Sequence, residues 1–304
     1  MSWLVASWLL LAPAGWEPRP PQPPTVWAEA GSRPWGQCRD LERGAERILG
    51  MSRLPVEERG GPSPWVERAV LCPGAPAVLV LAAYHELTQV PGYPPLSELA
   101  AQVDTLTETQ RTGRKRAARW LASARTEAAR RGEPPPPRTW ILTAQAALGL
   151  GDVALARQAL AAAAARGEVE GWQIDRLAAL AALFAGDLPQ ALALAHRARE
   201  LGTQGERALT TLVLALIYDR AGAPDAATRE LVALNTLAFG STDRAALEAL
   251  LPPHERIYFT ALDQLARRNP GNATWLFKAY LACPEPEAPE RRLVERRLAE
   301  LRPK

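Results

Sequence analysis

The sequence predicts an all-α protein, a solenoid of antiparallel helix pairs, and three observations carry that reading. Ala, Leu, Arg and Glu dominate, aromatic residues make up 6%, and runs of β-branched residues are almost absent, a bias that suits helices far better than sheets. Glycines that end helical stretches recur at Gly151, Gly186 and Gly222, 35 and then 36 residues apart, and a fixed period of this size marks a repeat architecture. With 304 residues and 47% hydrophobic content, the chain has enough apolar surface to bury a sizeable core.

Taken in order, Met1 to Leu11 form an uncharged apolar run that ends at Ala12-Pro13-Ala14, a small-x-small pattern that predicts a signal peptide over residues 1–14. A second such site stands at Ala28-Glu29-Ala30. The run is shorter than the ~20 residues a bilayer-spanning helix needs. No Lys or Arg precedes Arg19, so an apolar tail that stays attached is the alternative. Cleavage predicts a periplasmic or secreted protein; retention predicts a cytoplasmic one. On the exported reading Cys38 and Cys72 are a natural disulfide pair, closing a loop of about 35 residues worth roughly 3 to 4 kcal/mol in the chain-entropy model. Three free thiols, or a pairing that involves Cys283, are the alternatives. Neither the cysteines nor His85, His196 and His254 show metal-ligand spacing, so no metal and no cofactor are expected.

Residues 15–36, with Pro18, Pro20, Pro21, Pro23 and Pro24, predict a linker, because each proline removes a helix donor and crowds the residue before it. An N-terminal helical region follows over residues 37–133. Within it, short helices are expected from Arg39 to Leu49 and from Trp65 to Leu71, separated by the breaker Gly60-Gly61-Pro62-Ser63-Pro64. Another runs from Pro76 to Thr88 and stops at Val90-Pro91-Gly92. A longer stretch begins near Leu96, with Leu99, Val103 and Leu106 on one face, and resumes after Gly113 with Ala117, Trp120, Leu121, Ala124 and Ala128 at i, i+3, i+4 spacing. Its opposite face, from Arg111 to Arg131, is basic: Arg111, Arg114, Lys115, Arg116, Arg119 and Arg125. The run Pro134-Pro135-Pro136-Pro137 closes this half.

The repeats occupy residues 138–304. Each turn glycine supplies a left-handed helix cap, and Asp152, Asp187 or Pro224-Asp225 restarts the next helix. Ala144, Ala179 and Ala215 keep one register on the first helices, and Ala156, Ala191 and Ala227 keep another on the second, where two antiparallel backbones approach closely. After Phe239-Gly240, Ser241-Thr242-Asp243 caps a short helix to Leu251, Pro252-Pro253 opens another through Arg268, and Asn269-Pro270-Gly271-Asn272 makes a turn like those that join the repeats. Helices from Ala273 to Ala282 and from Ala288 to Leu301 finish the chain, the last charged enough to serve as a polar cap.

On these residues the chain resembles the tetratricopeptide repeat family, whose unit is a helix pair of about 34 residues. Trp140 falls at the family's early aromatic position, Tyr218 at its later one, and Ala163 and Ala198 at its second small position. Asp175 and Thr211 replace the early aromatic, Ala147 and Ala182 the later one, and Leu234 a small residue, which keeps a related helical-hairpin solenoid in view. The resemblance implies a right-handed α-solenoid whose concave face, lined by the first helices, binds another protein or a peptide. In the family's register that face includes Arg138, Gln145, Gln173, Arg176, Leu180, Phe184, Leu212, Leu216, Asp219 and Arg220.

Catalysis finds little support. No Gly-rich phosphate loop or Gly-x-Ser-x-Gly elbow is present, and Tyr84-His85-Glu86 lacks the second His a zinc-protease helix requires. The leading expectation is therefore a non-catalytic protein-binding scaffold, in the cell envelope if exported. A basic adaptor that meets an anionic surface through Arg111 to Arg131 comes second, and an envelope hydrolase on a helical scaffold third. A net charge of +3 is too small to favour nucleic acid.

Overall fold

A computed structural model describes residues 33–51, 64–88, 96–236, 250–286 and 288–301. The apolar N-terminal run, residues 15–32 of the Pro-rich segment, the breaker at 60–63, the stop at 90–92 and the helix expected from Ser241 lie outside the described residues.

The described chain is all-helical, with thirteen helices and no strand. They are α1 (Arg33–Leu49), α2 (Pro64–Leu71), α3 (Pro76–Thr88), α4 (Leu96–Arg130), α5 (Thr139–Leu150), α6 (Val153–Arg166), α7 (Gly171–Phe184), α8 (Leu188–Leu201), α9 (Gln204–Arg220), α10 (Pro224–Thr236), α11 (Pro253–Ala266), α12 (Pro270–Ala282) and α13 (Ala288–Glu300). Two boundaries depart from the sequence reading. Helix α1 begins at Arg33, inside the expected linker, because Pro34 falls in its first turn, where a missing N–H costs nothing. The stretch from Leu96 runs through Gly113 as one helix of 35 residues, where two were expected.

The repeat is built as its glycines require. Gly151, Gly186 and Gly222 have φ of 77°, 77° and 79°, a region closed to most side chains. Each ends its helix with the same pair of bonds, as in Gly151 N–H to Leu148 O at 3.0 Å and Asp152 N–H to Ala147 O at 2.9 Å, the double closure of a Schellman cap. Asp152 and Asp187 then accept from the amides of Leu155 and Gln190 and start the second helices. A fourth turn repeats the pattern with a different residue. Arg268 takes the left-handed conformation (φ 58°), Asn269 N–H reaches Gln264 O at 2.9 Å, and the Asn269 side chain caps α12.

Consecutive helices pair as α5 with α6, α7 with α8, α9 with α10 and α11 with α12. Helices α3 and α4 form a further pair that the sequence did not announce, since α3 also packs on α5 as α5 packs on α7 and α7 on α9. Ala144, Ala179 and Ala215 are fully buried, as are Ala156 and Ala191, so the small-residue register marks the seams where helices meet. The two halves of the chain are joined. Helix α4 packs on α5 and also reaches α11 and α12, and Arg138 links α5 to the end of α1 by donating to Leu49 O at 3.1 Å and Met51 O at 2.5 Å.

Arg114 is the strut of this closure. It is 1% exposed, and its guanidinium donates to Gly149 O of α5 at 2.9 Å and to Leu251 O, just before α11, at 2.7 Å. Gly149 lets it pass: a β-carbon there would lie 2.5 Å from Arg114 Nε and 2.7 Å from its Cδ. Elsewhere in a helix, Gly→Ala gains about 1 kcal/mol, but jamming a held side chain costs typically 1–3 kcal/mol. Gly149→Ala is therefore expected to lower the midpoint of urea unfolding, and in an Arg114→Met background, whose flexible stem can yield, to raise it. The reversal of sign is the check.

Candidate partner-binding face and the buried ionic cluster

The first helices pack on one another as well as on their own partners, and this decides what the expected groove residues do. Gln145 on α5, and Gln173 and Phe184 on α7, are partly exposed. Leu180 and Leu216 are fully buried and Leu212 nearly so, which corrects the expectation that they face a partner. The physical reason is that these positions lie where α7 and α9 meet neighbouring helices, in stretches such as residues 212–217 that are buried all round. Arg176 is buried with its guanidinium 5.1 Å from the Trp172 ring centre. Arg138 has a left-handed backbone (φ 65°) and no capping bond to α5. The carboxylate of Glu168 takes that part, accepting from the amides of Trp140 at 3.0 Å and Ile141 at 3.2 Å. Burial pushes Glu168 above the usual carboxylate range despite those two amides.

Asp219 and Arg220, at the end of α9, belong to a buried ionic cluster that no sequence pattern marked. Asp219 accepts from the Tyr258 hydroxyl of α11 and from Arg297 of α13. Arg220 donates to Glu255 at 2.6 Å and to the Tyr280 hydroxyl at 3.3 Å, and lies 3.4 Å from Glu290. Its guanidinium stands 4.4 Å from the Tyr258 ring centre. Tyr258, Tyr280 and Phe277 pack around it with ring centres 5.3 and 5.7 Å from Tyr258. His254 Nε2 is 3.7 Å from Glu255.

The electrostatics suit a clamp. Burial acts against the charge of Arg220, but Glu255 and its neighbours outweigh it and hold the guanidinium well above its ordinary range. Burial first, and then Asp219, push Tyr258 up; burial and Glu255 do the same to Tyr280. Both phenols thus stay protonated and act as donors, the opposite of what a general base needs.

The basic face of α4 is largely paired with carboxylates of the chain itself. Arg111 pairs with Glu108 and Glu285, Arg116 with Glu86 at 2.8 Å, and Arg130 with Glu127 at 2.8 Å. Arg125 donates to Thr143 at 2.9 Å under the Trp140 ring, and Arg131 to Glu42 and Gly74 O. Lys115, Arg116, Arg119 and Arg130 are exposed. His85 is buried in α3, whereas His196 bridges Tyr218 and Arg199, each at 3.1 Å. No group of three His, Cys, Asp or Glu able to hold a metal occurs among the described residues. None of the described helices is long and apolar enough to cross a membrane.

Cys38 of α1 and Cys72, just after α2, form a disulfide with Cα atoms 5.6 Å apart, and Cys283 is a buried free thiol. Compared with protein families, curated proteins and solved structures, the chain matches none.

Proposed function

We propose that this protein is a non-catalytic scaffold that binds another protein or a peptide along its stacked helix pairs. The observation that carries the reading is the consecutive packing of like-capped pairs from α5 to α12 into one frame. Such a frame holds an extended surface in fixed geometry, and its charged residues are invested in keeping it shut. The resemblance to tetratricopeptide repeats favours a right-handed winding and a partner that reads the part-exposed side chains of the first helices, Gln145, Gln173 and Phe184 among them. The Cys38–Cys72 disulfide favours an oxidising compartment, in keeping with the apolar N-terminal run, and so an envelope partner.

A photoreactive amino acid placed at Gln145 or Gln173 is expected to yield one discrete protein adduct in the native host. The same group at Gln190 on α8 is expected to yield none. Equal labelling from all three positions, or none from any, contradicts the proposal.

A further inference from the structure

Helix α13 is held in an unusual way. Of its side chains, Val294 is fully buried and Arg297 nearly so, while Arg292, Glu295, Arg296 and Glu300 are exposed. Its grip on α9 is ionic: Glu290 to Arg220 and Arg297 to Asp219. Those three buried or paired positions fall at i, i+4 and i+7, one stripe of a helix. The connection to α12 contains Pro284 and Pro286, so α12 cannot continue into α13. Arg291 ties α13 to the end of α12 and to that connection by donating to Leu281 O at 2.8 Å and to Pro286 O at 3.1 Å. Leu293 and Leu298 are part-buried against the core beside Val294, so the helix is seated by a short aliphatic row and two ion pairs, and ion pairs exchange readily for equivalent ones.

We infer that α13 is an internal stand-in for a partner's helix: the surface it covers on α12 and at the end of α9 is a docking site for an amphipathic helix with an acidic residue, an aliphatic residue and an arginine at i, i+4 and i+7. The incoming arginine takes the place of Arg297 on Asp219, whose other carboxylate oxygen accepts from the Tyr258 hydroxyl, and the incoming carboxylate takes the place of Glu290 on Arg220. Asp219 is 1% exposed and keeps Tyr258 as a donor, so the site survives while α13 is away. Helix α13 competes as a tethered ligand, which keeps the site closed to helices that lack the pattern. The inference rests on the scaffold reading only in making the occupant a protein.

The test uses the full-length oxidised chain and a fluorescent peptide of residues 288–304. In the wild type, the tethered helix is expected to hold peptide binding at least ten-fold weaker than in an Arg297→Ala chain. A peptide that itself carries Arg297→Ala is expected to bind neither. Amide exchange of the wild type, which does not depend on the variant folding, is expected to show α13 opening well before α9 and α11. Equal binding of both peptides, or α13 exchanging only together with α9 and α11, overturns the inference. Exchange of α13 between two copies, seen as a wild-type dimer in light scattering, overturns it in favour of a swap. The peptide reports on the α13 site alone, so its failure is distinct from a failure of crosslinking at Gln145 and Gln173.

Discussion

Arg220→Ala is expected to lower the melting temperature by roughly 10 °C. Arg220 donates to Glu255, whose side chain is 3% exposed, and truncating it leaves that carboxylate buried beside the Tyr280 hydroxyl. Removing one partner of a buried pair costs about 3–5 kcal/mol, whereas replacing both with apolar residues of similar volume is often neutral. In a chain of this size each kcal/mol moves the melting temperature by roughly 2–4 °C. The double variant Arg220→Met/Glu255→Leu is accordingly expected to recover most of the loss. A single variant that melts within a degree or two of wild type would mean that the cluster clamps nothing.

Reduction of the Cys38–Cys72 disulfide is the second large effect. The bridge spans 34 residues of chain, and the entropy of closing such a loop corresponds to about 3–4 kcal/mol. It ties α1 to the end of α2, and both helices pack on α3. Urea unfolding of the reduced, alkylated protein should show a midpoint lowered by that free energy divided by the slope, with α1 and α2 losing amide protection first. The same chemistry reports on compartment: intact mass from the native host, before and after reductant, should show two thiols blocked until reduction and one, Cys283, free after denaturation. Three thiols free from the start would place the chain in a reducing compartment and remove the main support for an envelope partner.

Where the sequence was legible, a local rule forced the structure. The turn glycines at 151, 186 and 222 needed positive φ and have it. The span of α3 was readable because Pro76 opens it and turn residues follow it. The pairing of Cys38 with Cys72 was offered as one of several arrangements and is the one formed. What stayed hidden depends on contacts distant in the chain. Arg114 sits among arginines that are half exposed or on the surface, and only the bare backbone of Gly149, 35 residues on, turns it into a buried strut. Nothing local distinguishes Arg297 from Arg296, yet one is buried against Asp219, 78 residues away, and the other is in solvent. Leu180, Leu212 and Leu216 were given a groove position by family register, but packing between helices buries all three.

Charged residues close the helix pairs into one body, with Arg114 bridging α4 to the residue pair before α11 and Asp219 and Arg220 bridging α9 to α11. Native-state amide exchange of the intact oxidised chain tests this closure most directly. The second half of α4, α5, α9 and α11 are expected to share one slowest, cooperative opening, and Arg114→Met is expected to speed exchange in α5 and α11 together. Helices α11 and α12 exchanging tens of times faster than α5 to α9, untouched by the Arg114 change, would contradict it.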